Sequence, residues 1–193
     1  MIDMEAVGKV LGPNLDAVEK DGGRALKELG LRPGAKVLDV GTGKGTFAIF
    51  LALNGFAVTT GEPSTDTSQY ARRDWAAKAK EAGVLEKIRF QDFKASEMPF
   101  ESESFEAVFF FGVLHHIDEA ERRDVMREAL RVAKVNGAVV FLEPGEEMLG
   151  RVRAEDPAHP PAADAGKYLD DKDVREQRIG GMLMDVFIYK KIS

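Results

Sequence analysis

The sequence predicts an α/β fold with a doubly wound, mostly parallel sheet of seven strands that ends in a terminal antiparallel hairpin. Three observations support this prediction. Short apolar runs alternate with amphipathic segments from residue 35 onward, as expected for strands joined by crossover helices. The first apolar run ends in closely spaced glycines and leads into a segment of helical length. Near the end of the chain, two strand-like runs flank Gly180-Gly181, which is typical of a hairpin.

The alternating region is predicted to contain five strands and three helices. The strands cover residues 37–40, 56–60, 87–91, 105–111 and 138–142. The helices cover residues 46–53, 67–82 and 119–132. Because Phe105–Phe111 is strongly apolar, it is predicted to be a central strand that is buried on both faces. Asn136-Gly137 is predicted to be a turn.

The two ends of the chain follow different patterns. Residues 1–33 are predicted to be helical, with Gly22-Gly23 breaking one helix before the next begins. Residues 150–166 contain several prolines and few large apolar side chains, which predicts a loop. In the closing hairpin, Phe187 and Tyr189 are two residues apart and therefore lie on one face.

We expect the 193 residues to form one domain. Its regions are N-terminal helices at 1–33, a core at 35–145, and a loop with the closing hairpin at 146–193.

Composition excludes several kinds of site. The chain has no cysteine, so disulfides, zinc–thiolate sites and cysteine nucleophiles are excluded. A metal site built from several histidines is not expected, because the chain has only three. The net charge of −6 makes a nucleic-acid substrate less expected than a small molecule or a protein. No membrane-spanning or signal segment is evident, so a cytoplasmic protein is expected.

The segment Asp39–Gly45, with the sequence DVGTGKG, lies between the first strand and the first core helix. Glycines at this point let the chain turn tightly and let a ligand approach the backbone. The P-loop pattern does not fit, and the dinucleotide pattern GxGxxG is weakened because Thr46 stands where its third glycine would be. The nucleoside-binding pattern [D/E]xGxGxG matches at every specified position. A glycine-rich turn without a ligand is the alternative.

Glu62 ends the second predicted strand. An acidic residue at that strand end can accept hydrogen bonds from ribose hydroxyls. A helix-capping or solvated glutamate is the alternative.

These segments resemble class I S-adenosylmethionine-dependent methyltransferases, and most closely the small-molecule enzymes of the ubiquinone and menaquinone biosynthesis type. The resemblance covers roughly residues 25–145. It is carried by VLDVGTGKGTFAIFLA, GEPS, KASEMPFESESFEAVFFFGVLHHI and EALRVAKVNGAVVFLEP, at 37–52, 61–64, 94–117 and 128–144. It implies a Rossmann-like fold, S-adenosylmethionine as cofactor, and methyl transfer to a small molecule.

The resemblance also implies roles for individual residues. Asp39, Gly41, Thr42 and Gly43 would hold the methionine part of the cofactor. Glu62 would bind the ribose, and Pro63 would pack near the adenine. Lys94 and Ala95 would border the adenine edge, and Phe111 and Gly112 would offer backbone groups to the methionine part. Related proteins often have aspartate where this chain has Lys94, so either Asp92 replaces it or backbone atoms alone contact the adenine.

Transfer of a methyl group from a sulfonium needs alignment in a dry pocket, and a base only if the acceptor must lose a proton. His115 and His116 are the candidate bases, because they follow the fourth strand on the expected acceptor side and histidine titrates near neutral pH. The alternative for either one is a packing or helix-capping role. His159 is expected to be solvated, and Trp75 is expected to pack.

Other functions remain open. Methylation of nucleic-acid base amines is disfavoured, because Phe111-Gly112-Val113-Leu114 stands where an Asn/Asp-Pro-Pro-aromatic motif would be. A protein or RNA methyltransferase would be favoured by a basic rim of Arg72, Arg73, Lys78 and Lys80. A nicotinamide oxidoreductase and a methyltransferase-like module without catalysis are the remaining alternatives.

Overall fold

The computed structural model describes residues 8, 12, 15–68, 70, 71, 74–170 and 174–192. Its seven strands are β1 (Lys36–Val40), β2 (Ala57–Gly61), β3 (Ile88–Phe90), β4 (Phe105–Phe111), β5 (Ala133–Pro144), β6 (Val174–Ile179) and β7 (Met184–Lys191). Its main helices are α1 (Gly23–Leu29), α2 (Thr46–Leu53), α3 (Trp75–Glu81), α4 (Arg122–Val132) and α5 (Glu146–Glu155). Short 3-10 turns lie at Leu114–His116, Glu119–Glu121 and Ala165–Tyr168.

The seven strands form one sheet in the order β3-β2-β1-β4-β5-β7-β6. The strands β1 to β5 pair in parallel. β7 pairs antiparallel with both β5 and β6. The predicted doubly wound sheet with a terminal antiparallel hairpin is therefore confirmed. The order also places β1 between β2 and β4, so the segments that follow these three strands meet at one edge.

Apolar side chains fill a layer on each side of the sheet. Phe47, Ile49 and Leu51 of α2 are buried in one layer. Val125 and Met126 of α4 are buried in the other. The predicted central strand β4 has Phe109 and Phe110 fully buried, one in each layer. These layers hold the sheet rigid beneath the strand ends.

The predicted break at Gly22-Gly23 is wrong. Helical backbone continues from a π-helical segment, Val18–Gly22, directly into α1. A Cβ on Gly22 would lie 3.0 Å from the ring of Phe47. The glycine therefore allows helix α2 to pack closely, and a glycine pair in a sequence does not distinguish this use from a helix break.

Three further boundaries differ from the prediction. Within the described part of 67–82, α3 is the only helix. Before it the chain turns: the backbone N–H of Ser68 donates to Asp66 Oδ1 at 2.8 Å, and Asp74 has a φ of 47°. The predicted turn at Asn136-Gly137 is an irregularity inside β5, where Asn136 has a φ of 62°. The loop predicted at 150–166 begins as the end of helix α5.

The closing hairpin is tied to the N-terminal helical segment by one side chain. Asp21 is fully buried, and its carboxylate accepts the backbone N–H groups of Met182, Leu183 and Met184, each at 2.8 Å. Met182 and Leu183 lie in the turn before β7, and Met184 is the first residue of β7. The contact therefore fixes the position of the hairpin beside the sheet edge.

Candidate functional site

The glycine loop after β1 has the backbone shape that the sequence predicted. Gly41, Gly43 and Gly45 have φ angles of 90°, 48° and 76°, which residues with a Cβ rarely adopt. A Cβ on Gly41 would lie 2.5 Å from Val113 Cγ2, and one on Gly45 would lie 2.6 Å from the Cβ of Trp75. The loop is therefore packed between the segment after β4 and the start of α3, and its glycines are needed for that packing.

Glu62, just after β2, reaches this loop. Its carboxylate oxygen Oε2 accepts the backbone N–H of Gly43 at 2.8 Å. The residue is only 6% exposed, and Pro63 beside it is half-buried. The structure therefore brings together two features that were predicted separately, the glycine loop and the acidic residue of the next strand.

Asp39 lies beneath the loop in a buried chain of side chains. Thr60 Oγ1 donates to Asp39 Oδ2 at 2.8 Å, and Thr42 Oγ1 lies 2.9 Å from Thr60 Oγ1. Because the Thr60 hydrogen is directed to the carboxylate, Thr42 donates to Thr60. The other oxygen, Asp39 Oδ1, has no hydrogen-bond partner among the described residues. Burial, with a further contribution from the charge of Glu62, raises the pKa of Asp39 to about 7 despite the bond from Thr60.

The residues predicted near the adenine point in different directions. Asp92 Oδ1 accepts the backbone N–H of Ser64 at 3.0 Å, so Asp92 holds the segment after Glu62. Lys94 is exposed, and its ammonium group bonds Glu121, which raises the pKa of Lys94. Ala95 is half-buried beside it. Asp92 therefore contacts the segment after Glu62, whereas the Lys94 side chain is held by Glu121.

The end of β4 is also defined. The ring of Phe111 stacks on Phe47, with 4.8 Å between centroids. The backbone N–H of Gly112 donates to Leu142 O at 2.8 Å. Any backbone contact from Gly112 to a ligand would therefore use its carbonyl oxygen. The Phe111 side chain belongs to the packed layer around α2.

The structure places His115 and His116 together with His159. His115 is buried, and its Nδ1 lies 2.7 Å from Glu143 Oε2. His116 is exposed. The prediction that His159 is solvated is wrong, because His159 is 7% exposed. Its ring lies 5.0 Å, between centroids, from each of the other two. We call these three residues the histidine cluster.

His159 is buried because the segment after α5 folds back. Its backbone N–H donates to Asp156 O at 3.0 Å, and Arg153 Nε donates to its carbonyl at 3.1 Å. Although the His116 side chain reaches solvent, its ring is partly desolvated by the residues around it, and this desolvation together with the neighbouring imidazoles lowers the pKa of His116 to about 4. Burial and the charge of His115 likewise lower the pKa of His159. At neutral pH these two rings are therefore uncharged.

The remaining predictions have different outcomes. Trp75 packs as expected, since its ring is stacked 5.9 Å from that of Phe90. Of the possible basic rim, Lys78 is half-buried and Lys80 is exposed. Arg72 and Arg73 lie outside the described residues. So do residues 1–14 of the predicted N-terminal helical region 1–33, apart from residues 8 and 12.

Comparison with known proteins places this site in context. Residues 38–141 match the family model described as "Methyltransferase domain". The chain is 36% identical over 112 residues to the sarcosine/dimethylglycine N-methyltransferase of Aphanothece halophytica, an alignment that covers 58% of this chain and 38% of that protein. It is 31% identical over 129 residues to a demethylmenaquinone methyltransferase of Staphylococcus aureus, covering 65% of this chain and 50% of that protein. The chain therefore spans half or less of these relatives.

A solved structure from Methanococcus maripaludis has the same fold. It superposes with a TM-score of 0.74 at 15% identity, over 99% of this chain and 91% of that one. At this identity the likeness shows the fold alone. Among the described residues, no helix is both long enough and apolar enough to span a membrane.

Proposed function

Because this chain belongs to the methyltransferase domain family, we propose that it transfers a methyl group from S-adenosylmethionine to a small-molecule acceptor. S-adenosylmethionine is the cofactor that membership in the family implies. The observation that carries the proposal is the 2.8 Å bond between the Gly43 N–H and the Glu62 carboxylate. This bond joins the ends of β1 and β2 into one surface, which is where a nucleoside binds in a sheet of this topology.

The residues at this edge suit the cofactor. The three positive-φ glycines keep side chains away from the backbone where the methionine part would lie. A carboxylate can accept about four hydrogen bonds, so the bond to Gly43 does not prevent Glu62 from also accepting ribose hydroxyls. The partnerless oxygen of Asp39 is a buried negative centre that a cationic ammonium group would satisfy. Thr42 acts indirectly, by holding Thr60 against Asp39.

Further contacts follow from position. Pro63, on the segment after β2, and Asp92, on the segment after β3, would border the adenine together with Ala95. Lys94 contributes backbone atoms only, since its side chain pairs with Glu121. Phe111 and Gly112 would contact the methionine part through the carbonyl oxygens at the end of β4.

The acceptor is proposed to approach past the histidine cluster. His116 is the stronger candidate for a base, because it is exposed and uncharged at neutral pH. His115 is buried against Glu143, so its proposed role is to shape the acceptor wall beside His116. The lowered pKa of His116 makes it a weak base, which suits an acceptor that is already acidic or an amine that arrives uncharged.

A small-molecule acceptor is supported by the relatives, whose names specify sarcosine or dimethylglycine and demethylmenaquinone. The net charge of −6 also disfavours a polyanionic acceptor. A chain without cysteine is compatible with the cytoplasm, which we propose as its location.

Calorimetric titration tests the proposal. We expect S-adenosylmethionine and S-adenosylhomocysteine to bind with dissociation constants on the order of micromolar, and NAD not to bind. Glu62→Ala should weaken binding by about 10- to 100-fold, since hydrogen bonds to a charged group contribute about 1.5–3 kcal/mol. Gly43→Arg should abolish it, because the added side chain fills the loop.

Glu86→Ala is the matched control. Glu86 is an exposed carboxylate just before β3, at the opposite edge of the sheet, and its removal should leave binding unchanged. Binding of NAD alone would contradict the proposed function. Binding of the two cofactor forms without turnover of any acceptor would support the module without catalysis.

A further inference from the structure

The histidine cluster brings together all three histidines of the chain. His115 and His116 follow β4, whereas His159 comes from the segment after α5. One ring nitrogen of each lies within 4.8 Å of the others. From the sequence alone a metal site built from several histidines is not expected, because it would need nearly every histidine of the chain. The fold does bring all three histidines together.

The hydrogen bonds of two rings leave a nitrogen lone pair for a ligand. His159 Nδ1 lies 3.0 Å from Pro160 O. A carbonyl only accepts, so Nδ1 carries the hydrogen and Nε2 carries the lone pair. His115 Nδ1 lies 2.7 Å from the Glu143 carboxylate, which can only accept, so Nδ1 donates to it and Nε2 is the nitrogen left for a metal ion. Metal-binding histidines almost always donate their second ring N–H to a carboxylate or a carbonyl in this way.

Glu143 is itself held in place. It is 1% exposed and accepts the backbone N–H groups of Leu114 at 3.1 Å and Ala163 at 3.0 Å. These bonds connect β5, the turn that contains His115, and the segment near His159. The supporting carboxylate is therefore rigid, and it joins the two parts of the chain that supply the histidines.

We infer that His115, His116 and His159 form a three-histidine site for a divalent transition metal such as zinc. A zinc ion bonded to nitrogens at 2.0–2.1 Å in tetrahedral geometry requires nitrogen separations of about 3.3 Å. The ring nitrogens lie within 4.8 Å of one another, so metal binding would draw them closer through small rotations of the three rings. Three protein ligands leave the fourth position open.

The open position would face the proposed acceptor side. A Cβ on Gly112 would lie 3.9 Å from His115 Cε1, so the cluster adjoins the end of β4. In this respect the inference rests on the proposed function: the ion would hold an oxygen or nitrogen of the acceptor beside the methyl group. A metal-bound histidine cannot also accept a proton, so in the metal-loaded protein the ion replaces His116 in activating the acceptor.

Direct metal binding tests the site. The protein, without a polyhistidine tag and after dialysis against a chelator, is titrated with Zn²⁺ by calorimetry and with Co²⁺ by visible absorption. We expect one ion per chain and cobalt bands typical of tetrahedral coordination. His116→Ala and His159→Gln should each weaken Zn²⁺ binding by about 100-fold or more. His116 is exposed, so its variant tests the site without disturbing the core.

Two controls separate this inference from the proposed function. Glu86→Ala should bind Zn²⁺ like the wild type. Glu62→Ala should lose cofactor affinity and keep Zn²⁺ affinity, so failure to bind S-adenosylmethionine would leave the metal result intact. Because the chain has only three histidines, imidazole NMR signals report on the cluster alone. Absence of stoichiometric binding, or binding that leaves these signals and both histidine variants unchanged, would overturn the inference.

Discussion

Asp21→Ala is expected to lower the free energy of unfolding by about 3–5 kcal/mol. The substitution leaves the N–H groups of Met182, Leu183 and Met184 without their acceptor. The bonds to Leu183 and Met184 are buried, and a buried donor without a partner costs about 1–3 kcal/mol. Small domains have a total stability of only about 5–15 kcal/mol. Urea denaturation followed by circular dichroism measures the loss.

Asp16→Ala is a control on the same N-terminal helical segment. Asp16 is exposed and contacts Lys20 at 3.7 Å, so its removal should change stability by less than about 1 kcal/mol. Asp21→Asn should be intermediate, because its carbonyl oxygen can accept two of the three N–H groups while its amide faces the third. A loss below about 1 kcal/mol for Asp21→Ala would show that the hairpin does not depend on this contact.

The sheet and the glycine loop could be predicted from the sequence because their signals are local. A short apolar run followed by Gly41 and Gly43 specifies both a buried strand and a turn with positive φ. The acidic residue Glu62 could be predicted for the same reason, since strand ends of a parallel sheet meet at one edge. The strand order brings Glu62 and Gly43 to the same edge of the sheet, where their hydrogen bond forms.

The contacts that could not be predicted join distant parts of the chain. Asp21 is 161 residues from Met182, and nothing near either residue in the sequence indicates the other. His159 follows a proline-containing, polar stretch that is typical of a solvated loop. Its burial depends on how that stretch folds back against Tyr70 and the turn after β4. The orientation of Lys94 toward Glu121 is a side-chain choice that no backbone pattern specifies.

Asp39→Asn is expected to stabilise the protein above neutral pH. The folded state raises the pKa of Asp39 from 3.8 to about 7, chiefly through burial. The folded protein therefore holds a proton that the unfolded chain releases, and stability falls as pH rises from about 4 to 7. A shift of about 3 units corresponds to about 4 kcal/mol at most. Asparagine remains uncharged, so its advantage over the wild type should be absent near pH 4 and greatest at pH 8.

Unfolding curves at several pH values measure the difference in free energy of unfolding between Asp39→Asn and the wild type. The other titrating groups are the same in both proteins, so their contributions cancel. Glu86→Gln, which alters an exposed carboxylate, should follow the wild-type profile. Parallel curves for the wild type and Asp39→Asn would show that Asp39 titrates normally.

The same variant should bind S-adenosylmethionine more weakly at pH 8, because the charged carboxylate that burial disfavours is the form that attracts the cofactor's ammonium group. Without a ligand, the buried carboxylate lowers the stability of the protein. When the ligand binds, the carboxylate gains a charged partner, and such a loss of stability is expected at a binding site.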